Sequence, residues 1–178
     1  MKTPILFFAF IFVSFLIKAQ QDSIITTSIS KEKIDTIKPF QACNKDQVYA
    51  IDFYLLTEKL GKELKQPKEI PVFISGTPKL REYFENHPLQ DPRAKKMVLR
   101  VNVAFLVNCE GKIGDFILLN DFVDMEAEVV KEVMDITTKM PQKWTIAKDR
   151  KKNNVDCYQV VSLTIFNGVF TSVYYKKD

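Results

Sequence analysis

Few side chains in this 178-residue chain are suited to chemistry: one histidine, His87, and three cysteines, Cys43, Cys109 and Cys157. His87 has no cysteine or carboxylate at metal-ligand spacing, so it reads as a surface or hinge histidine rather than a zinc ligand. No glycine-rich phosphate loop, nucleophile elbow or cysteine–histidine motif occurs. The carboxylate pairs Asp121/Asp124 and Glu126/Glu128 open a helical pattern, where capping and the helix dipole account for them without acid–base work. Trp144 follows the exit of that helix and reads as a core plug. These residues predict no catalytic group, no metal and no cofactor, which leaves the cysteines, whose chemistry depends on the compartment.

The first nineteen residues bear on that compartment. Met1 and Lys2 give a positive start, Pro4 to Ile17 is an apolar run of fourteen broken only by Ser14, and Ala19 offers a small residue for cleavage. A spanning helix needs roughly 20 apolar residues, so the run suits a secretory signal, with an uncleaved anchor as the alternative. No cysteine follows directly, and Cys43 is too distant for lipid attachment. Cleavage would remove Lys2 and Lys18, leaving 24 basic against 22 acidic residues, a balance of +2 that is no nucleic-acid footprint. Lys148, Arg150, Lys151 and Lys152 cluster before Asn153-Asn154, the pattern of a solvated turn. The 46% hydrophobic and 27% charged composition is that of a chain that buries a core.

The elements that would hold these residues follow from periodicity. Residues 20–42 are polar with scattered Ile, which predicts an extended leader. Asn44 and Gln47 resemble a capping box, and Val48, Ile51, Leu55, Leu56, Leu60 and Leu64 recur near helical spacing, predicting a helical extension over 43–70 with its helix near 45–65. Val48 to Leu56 also suits a buried strand. Ser75-Gly76 turns into a short helix near Pro78 to Glu85, with Leu80, Tyr83 and Phe84 on one face. Val101, Val103, Phe105, Val107 and Cys109 then alternate with Asn102, Ala104, Leu106 and Asn108 as a strand with one face firmly buried. Glu110-Gly111 turns it into a second strand, Ile113 to Leu119. A helix capped by Asp124 follows, lined by Ala127, Val130, Val133, Met134 and Thr137 and stopped at Met140-Pro141. Val161, Leu163 and Ile165 mark a third strand. Asn167-Gly168 predicts a hairpin to a fourth, Val169 to Tyr175. The expected fold is α+β: an antiparallel sheet of three to four strands with helices on one face.

Parity then pairs the cysteines. Cys109 ends the first strand on its buried face, and Cys157 opens the third in phase with Val161, Leu163 and Ile165. Antiparallel neighbours would bring them together, which predicts a Cys109–Cys157 disulfide and leaves Cys43 unpaired or intermolecular. Two buried free thiols are the alternative.

In order and wording these segments resemble the C-terminal domain of TonB, in the form found in Bacteroidetes-like bacteria, over Pro71 to Phe166 within a domain of 71–178. The likeness rests on PVFISG, VNVAFLVNCEGKIGDFILL, DMEAEVVKEVMDITTKMPQKW and VVSLTIF. It implies a periplasmic, non-catalytic adaptor linked to outer-membrane transport, which adds a receptor peptide or a segment of another envelope protein to a sheet edge. Carried over, that edge is the strand from Val155 to Phe166, with Tyr158, Val160, Ser162, Thr164 and Phe166 along it, and His87-Pro88 stands where the family has Tyr-Pro. The chain departs from the family in lacking a proline-rich spacer, in Ile146 after the helix-exit Trp, and in the tail beyond Phe166. If that tail folds back, the edge is already filled and a peptide must displace it or use another surface. The alternative from a different class is a structural envelope protein that dimerises or contacts cell wall.

Overall fold

The computed structural model describes residues 40–177 apart from 45 and 62. The predicted signal and nearly all of the predicted leader lie outside the described residues.

Four long-range strands form the sheet: β2 (Val98–Val107), β3 (Ile113–Leu118), β6 (Cys157–Phe166) and β7 (Val169–Tyr175). The β2 strand runs antiparallel to β6 over its whole length, from Val98 opposite Phe166 to Val107 opposite Cys157. On the far side of β2 lies β3, and β7 folds back onto β6, both antiparallel. The Asn167-Gly168 turn works as its sequence predicts: both residues have positive φ, 51° and 79°, which gives the hairpin a twist matched to its strands. A two-residue strand, β1 (Tyr49–Ala50), pairs in parallel with Cys157 and Tyr158. The sheet is therefore mixed rather than purely antiparallel, within an α+β fold.

One face carries the main core. Val101, Val103, Phe105 and Val107 meet Val161, Leu163, Ile165, Phe170, Val173 and Tyr175 there. Helices α2 (Gly76–Glu85) and α3 (Asp124–Thr138) close over them with Leu80 and Phe84, and with Val129, Val130 and Val133. Burying each such side chain favours the fold by about 1.5–3 kcal/mol. Trp144 plugs this core, its ring edge-on to Phe105 and Tyr175 at centroid distances of 4.9 and 5.1 Å. Asp124 does not cap α3: the N-cap position belongs to Val123, which supplies no side-chain bond, and Asp124 is the first helical residue with φ 51°.

The opposite face is half covered, contrary to the expectation of helices on one side only. Residues 45–65 do not form one long helix. Val48 and Ala50 point to this second face, while Tyr49 and Ile51 pack against Ala147 and Cys157, the alternation of a strand. A short helix, α1 (Phe53–Leu60), follows, and Leu56 and Leu64 join Val48 and Ala50 over Ala104, Leu106 and Tyr158. Asn44 still uses its side chain as a cap would, accepting N–H bonds from Asp46 and Gln47, but it caps a turn.

A small hairpin of β4 (Ala147–Lys148) and β5 (Asn154–Val155) stands beside the sheet. Its basic turn is solvated: Arg150, Lys151 and Lys152 are exposed, and Lys148 pairs with Glu69 at 2.8 Å. Asp149 holds the turn by accepting N–H bonds from Asn153 and Lys151, and the Asn153 bond above all keeps its carboxyl below the usual carboxylate range.

Candidate functional site

The strand expected to be the open edge is interior. Along β6 the backbone is bonded to β2 on one side and to β1 and β7 on the other, so no row of free N–H and C=O groups remains there for a guest strand. Its side chains separate by face. Tyr158 is buried at the covered end, and its hydroxyl donates to the Asp115 carboxylate; burial first, and that bond second, push its pKa above the ordinary tyrosine range. Val160, Ser162 and Thr164 are half-buried and Phe166 is 51% exposed. His87 stands apart at the end of α2, its ring 4.4 Å from that of Tyr83 and its Nδ1 2.6 Å from the Tyr83 carbonyl oxygen.

Two outer edges replace it. On β3 the edge is blunted. Ile113 spends its backbone N–H on Gln142 Oε1 at 2.7 Å, Gly114 lies under the ring of Phe40, and Asp115 bends the strand with φ 49°. The β2–β3 ladder also shifts register between Ala104 and Leu106. On β7 the outer edge pairs with no strand among the described residues. Its sequence, VFTSVYY, holds no charge, proline or glycine. Val169, Thr171 and Tyr174 are exposed along it, and Phe170 anchors it beneath Phe84 of α2, ring centroids 5.1 Å apart.

The disulfide is Cys43–Cys109, not Cys109–Cys157. Parity failed because the register places Val107, not Cys109, opposite Cys157, and the chain turns at Asn108 beyond the end of β2. Cys109 instead faces the incoming N-terminal segment. Asp156, 1% exposed, fixes this junction by accepting N–H bonds from Asn44 and Cys109, both at 2.8 Å. Cys43, Cys109 and Asp156 are the one cluster of three metal-type donors among the described residues, but two of the three are spent in the sulfur–sulfur bond. Cys157 is a fully buried free thiol, and burial drives its pKa above the ordinary thiol range, which makes it inert in the folded chain.

Two of the four carboxylates noted in sequence are surface ion-pair partners: Glu128 bonds Lys131 at 2.5 Å and Asp121 bonds Lys59 at 3.0 Å. A groove of about 780 Å³ is lined by Pro92, Met97, Val123 and Met125 together with Arg93 and Glu126, and Arg93 is already bonded to Asp91. Among the described residues no helix is long and apolar enough to cross a membrane. No protein-family model matches the chain, and neither a curated protein nor a solved structure matches it.

Proposed function

We propose that this chain is a non-catalytic protein-binding module of the periplasm, resembling the TonB C-terminal domain in use, which takes up an extended segment of an outer-membrane receptor or other envelope protein as a strand beside β7. The observation that carries the reading is the contrast on β7 between backbone and side chains. Seven residues of strand, with one register shift at Thr171, present an outer edge that pairs with no strand among the described residues and carries no charge or proline of the kind that keeps such edges unreactive. Added strands gain affinity from backbone bonds and selectivity from alternate side chains, here Val169, Thr171 and Tyr174. Phe166 and Val98, exposed beside Val169, extend the apolar ground at the hairpin end. The hairpin tail therefore supplies the edge that the resemblance assigns to the preceding strand.

The test is an amide NMR titration with extended receptor-type peptides. Shifts and slowed exchange confined to 169–175 support the reading; a titration that leaves those amides unmoved overturns it. The same uncharged edge favours a second reading, a two-fold dimer through paired β7 strands. Sedimentation equilibrium separates the two, because a dimer forms without peptide and loses its strand pairing on dilution.

A further inference from the structure

The Cys43–Cys109 bond lies at a junction that hydrogen bonds hold together independently of it. Asp156 stands between the last residue of β5 and the first of β6, and its main chain is fixed to β1 by the Tyr49 N–H, which donates to the Asp156 carbonyl oxygen at 2.9 Å. Its carboxylate reaches both cysteine segments. Oδ2 accepts from the N–H of Asn44, next to Cys43, and Oδ1 from the N–H of Cys109 itself, each at 2.8 Å. A further tie joins the same segments, Asn108 Nδ2 donating to the Gln41 carbonyl oxygen at 3.0 Å. These bonds need no oxidised sulfur, so they bring the two cysteines together while both are still thiols.

An Asp156 carboxylate oxygen and the two sulfurs all lie within 4.8 Å of one another. Asp156 is 1% exposed, and no lysine or arginine pairs with it among the described residues. A buried carboxylate without a counter-charge is a costly arrangement, and ionising two thiols beside it adds like charge to like. A divalent cation offsets both. Two thiolates and one carboxylate suit zinc, which takes sulfur at about 2.3 Å and carboxylate oxygen at about 2.0–2.2 Å in a four-coordinate shell. Sulfurs on a tetrahedral ion stand about 3.8 Å apart, a spacing within reach of cysteines whose Cα atoms are 6.0 Å apart when the exposed Cys43 side chain turns to open the pair. The fourth position falls to a water from the adjoining groove of about 220 Å³, lined also by Asn44, Asn153 and Asn154. Asp149 lines that groove too, but its carboxylate is bonded to Lys151 and Asn153.

We infer that the thiol form of the chain binds one zinc ion through Cys43 Sγ, Cys109 Sγ and an Asp156 carboxylate oxygen, so that metal staples the junction before oxidation and sulfur staples it afterwards. Binding releases the two thiol protons to solvent. Oxidation by a small-molecule disulfide, which takes up two electrons and two protons to become two thiols, joins the sulfurs and expels the ion. The site does not rest on strand addition at β7. The test is titration of the full chain, stripped of metal and reduced with a water-soluble phosphine, using Zn²⁺ in a calorimeter and Cd²⁺ for its thiolate-to-metal absorption band. One ion per reduced chain is expected, with binding to the oxidised chain weaker by about a hundredfold or more. Zinc should raise the melting midpoint of the reduced chain and leave that of the oxidised chain unchanged. Cys43→Ser is expected to weaken zinc binding about a hundredfold and to diminish the Cd²⁺ band, and Asp156→Asn to weaken binding about tenfold with the band retained. Cys43 is exposed, so its variant decides the question even where Asp156→Asn loosens the junction. Equal zinc uptake by the oxidised chain, one ion held between two chains, or a Cd²⁺ band that survives in a Cys43→Ser, Cys109→Ser double variant overturns the site. Wild-type affinity in a folded Asp156→Asn overturns the carboxylate's part in it.

Discussion

The two edges of the sheet, β3 and β7, are built by opposite rules. At β3 each way of adding a strand is obstructed: a side-chain amide occupies the backbone of Ile113, a phenylalanine lies over Gly114, and Asp115 kinks the chain. At β7 the strand carries one register shift, at Thr171 opposite the Thr164–Ile165 step, and is uncharged and firmly backed by the core through Phe170, Val173 and Tyr175. Edge strands invite aggregation, and proteins that do not use them protect them. Three separate devices guard one edge, whereas the other carries no charge or proline, and that difference is the ground on which we propose docking at β7. The rigid backing matters as well, since an edge that is already packed loses little entropy when a partner pairs with it.

The largest way to disturb the guarded side is to cut its staple. Cys43 and Cys109 are 66 residues apart, and losing a cross-link of that span costs about 4 kcal/mol by the chain-entropy model. Cys43→Ser, or reduction of the wild type, should lower the denaturation midpoint accordingly while peptide affinity at β7 is unchanged in the folded protein. Peptide mapping under non-reducing conditions should recover the Cys43–Cys109 pair, with Cys157 alkylated only after unfolding. Next in size is Gly114→Val. A Cβ at Gly114 would overlap the ring of Phe40, and overpacking of that kind costs about 1–3 kcal/mol. Phe40→Ala in the same chain should recover part of the loss, because the two sites share one contact. Additive losses in urea melts would show that Phe40 does not rest on this edge.

Legibility in the sequence followed the reach of each interaction. Strands β2, β3, β6 and β7 were visible because their alternation and the Asn167-Gly168 turn are local signals. Both core helices were visible for the same reason, although the cap of α3 was not, because Asp124 takes a positive φ that its residue type only permits. What escaped was set by distant partners. Val48 to Ile51 reads as helix by spacing with a buried strand as the alternative, and what decides for the strand is its pairing with Cys157 and Tyr158, more than a hundred residues away. The cysteine pairing failed by two residues of register, since Cys157 stands opposite Val107 and parity says which face a residue takes but not which residue it meets. The edge was misplaced because the resemblance stops at Phe166, whereas the chain's own turn signal already announced the strand that covers it.

A smaller effect is expected from Gln142→Ala. The lost bond to the Ile113 N–H contributes about 1 kcal/mol, and its removal uncovers the first residue of β3. Peptide-induced protection should then appear weakly at 113–118 in addition to 169–175. Protection that stays confined to β7 would assign the guarding of β3 to Phe40 and the Asp115 kink.

The sharpest probe of the comparison has almost no effect on stability. Thr171 is exposed in the middle of β7, where its hydroxyl donates to the Thr164 carbonyl at 3.2 Å. Thr171→Lys places on this edge the kind of charge that protected edges carry. The change is at the surface, so stability should stay within about 0.5 kcal/mol of wild type. A guest strand would have to lie beside a hydrated ammonium, and peptide affinity should fall about tenfold or more, while Thr171→Val, uncharged and well suited to a strand, keeps it. Thermal melting and peptide titration of the pair give both readings at once. Wild-type affinity in Thr171→Lys would mean that the bare edge is not where the partner binds, and that the asymmetry between β3 and β7 serves folding rather than recognition.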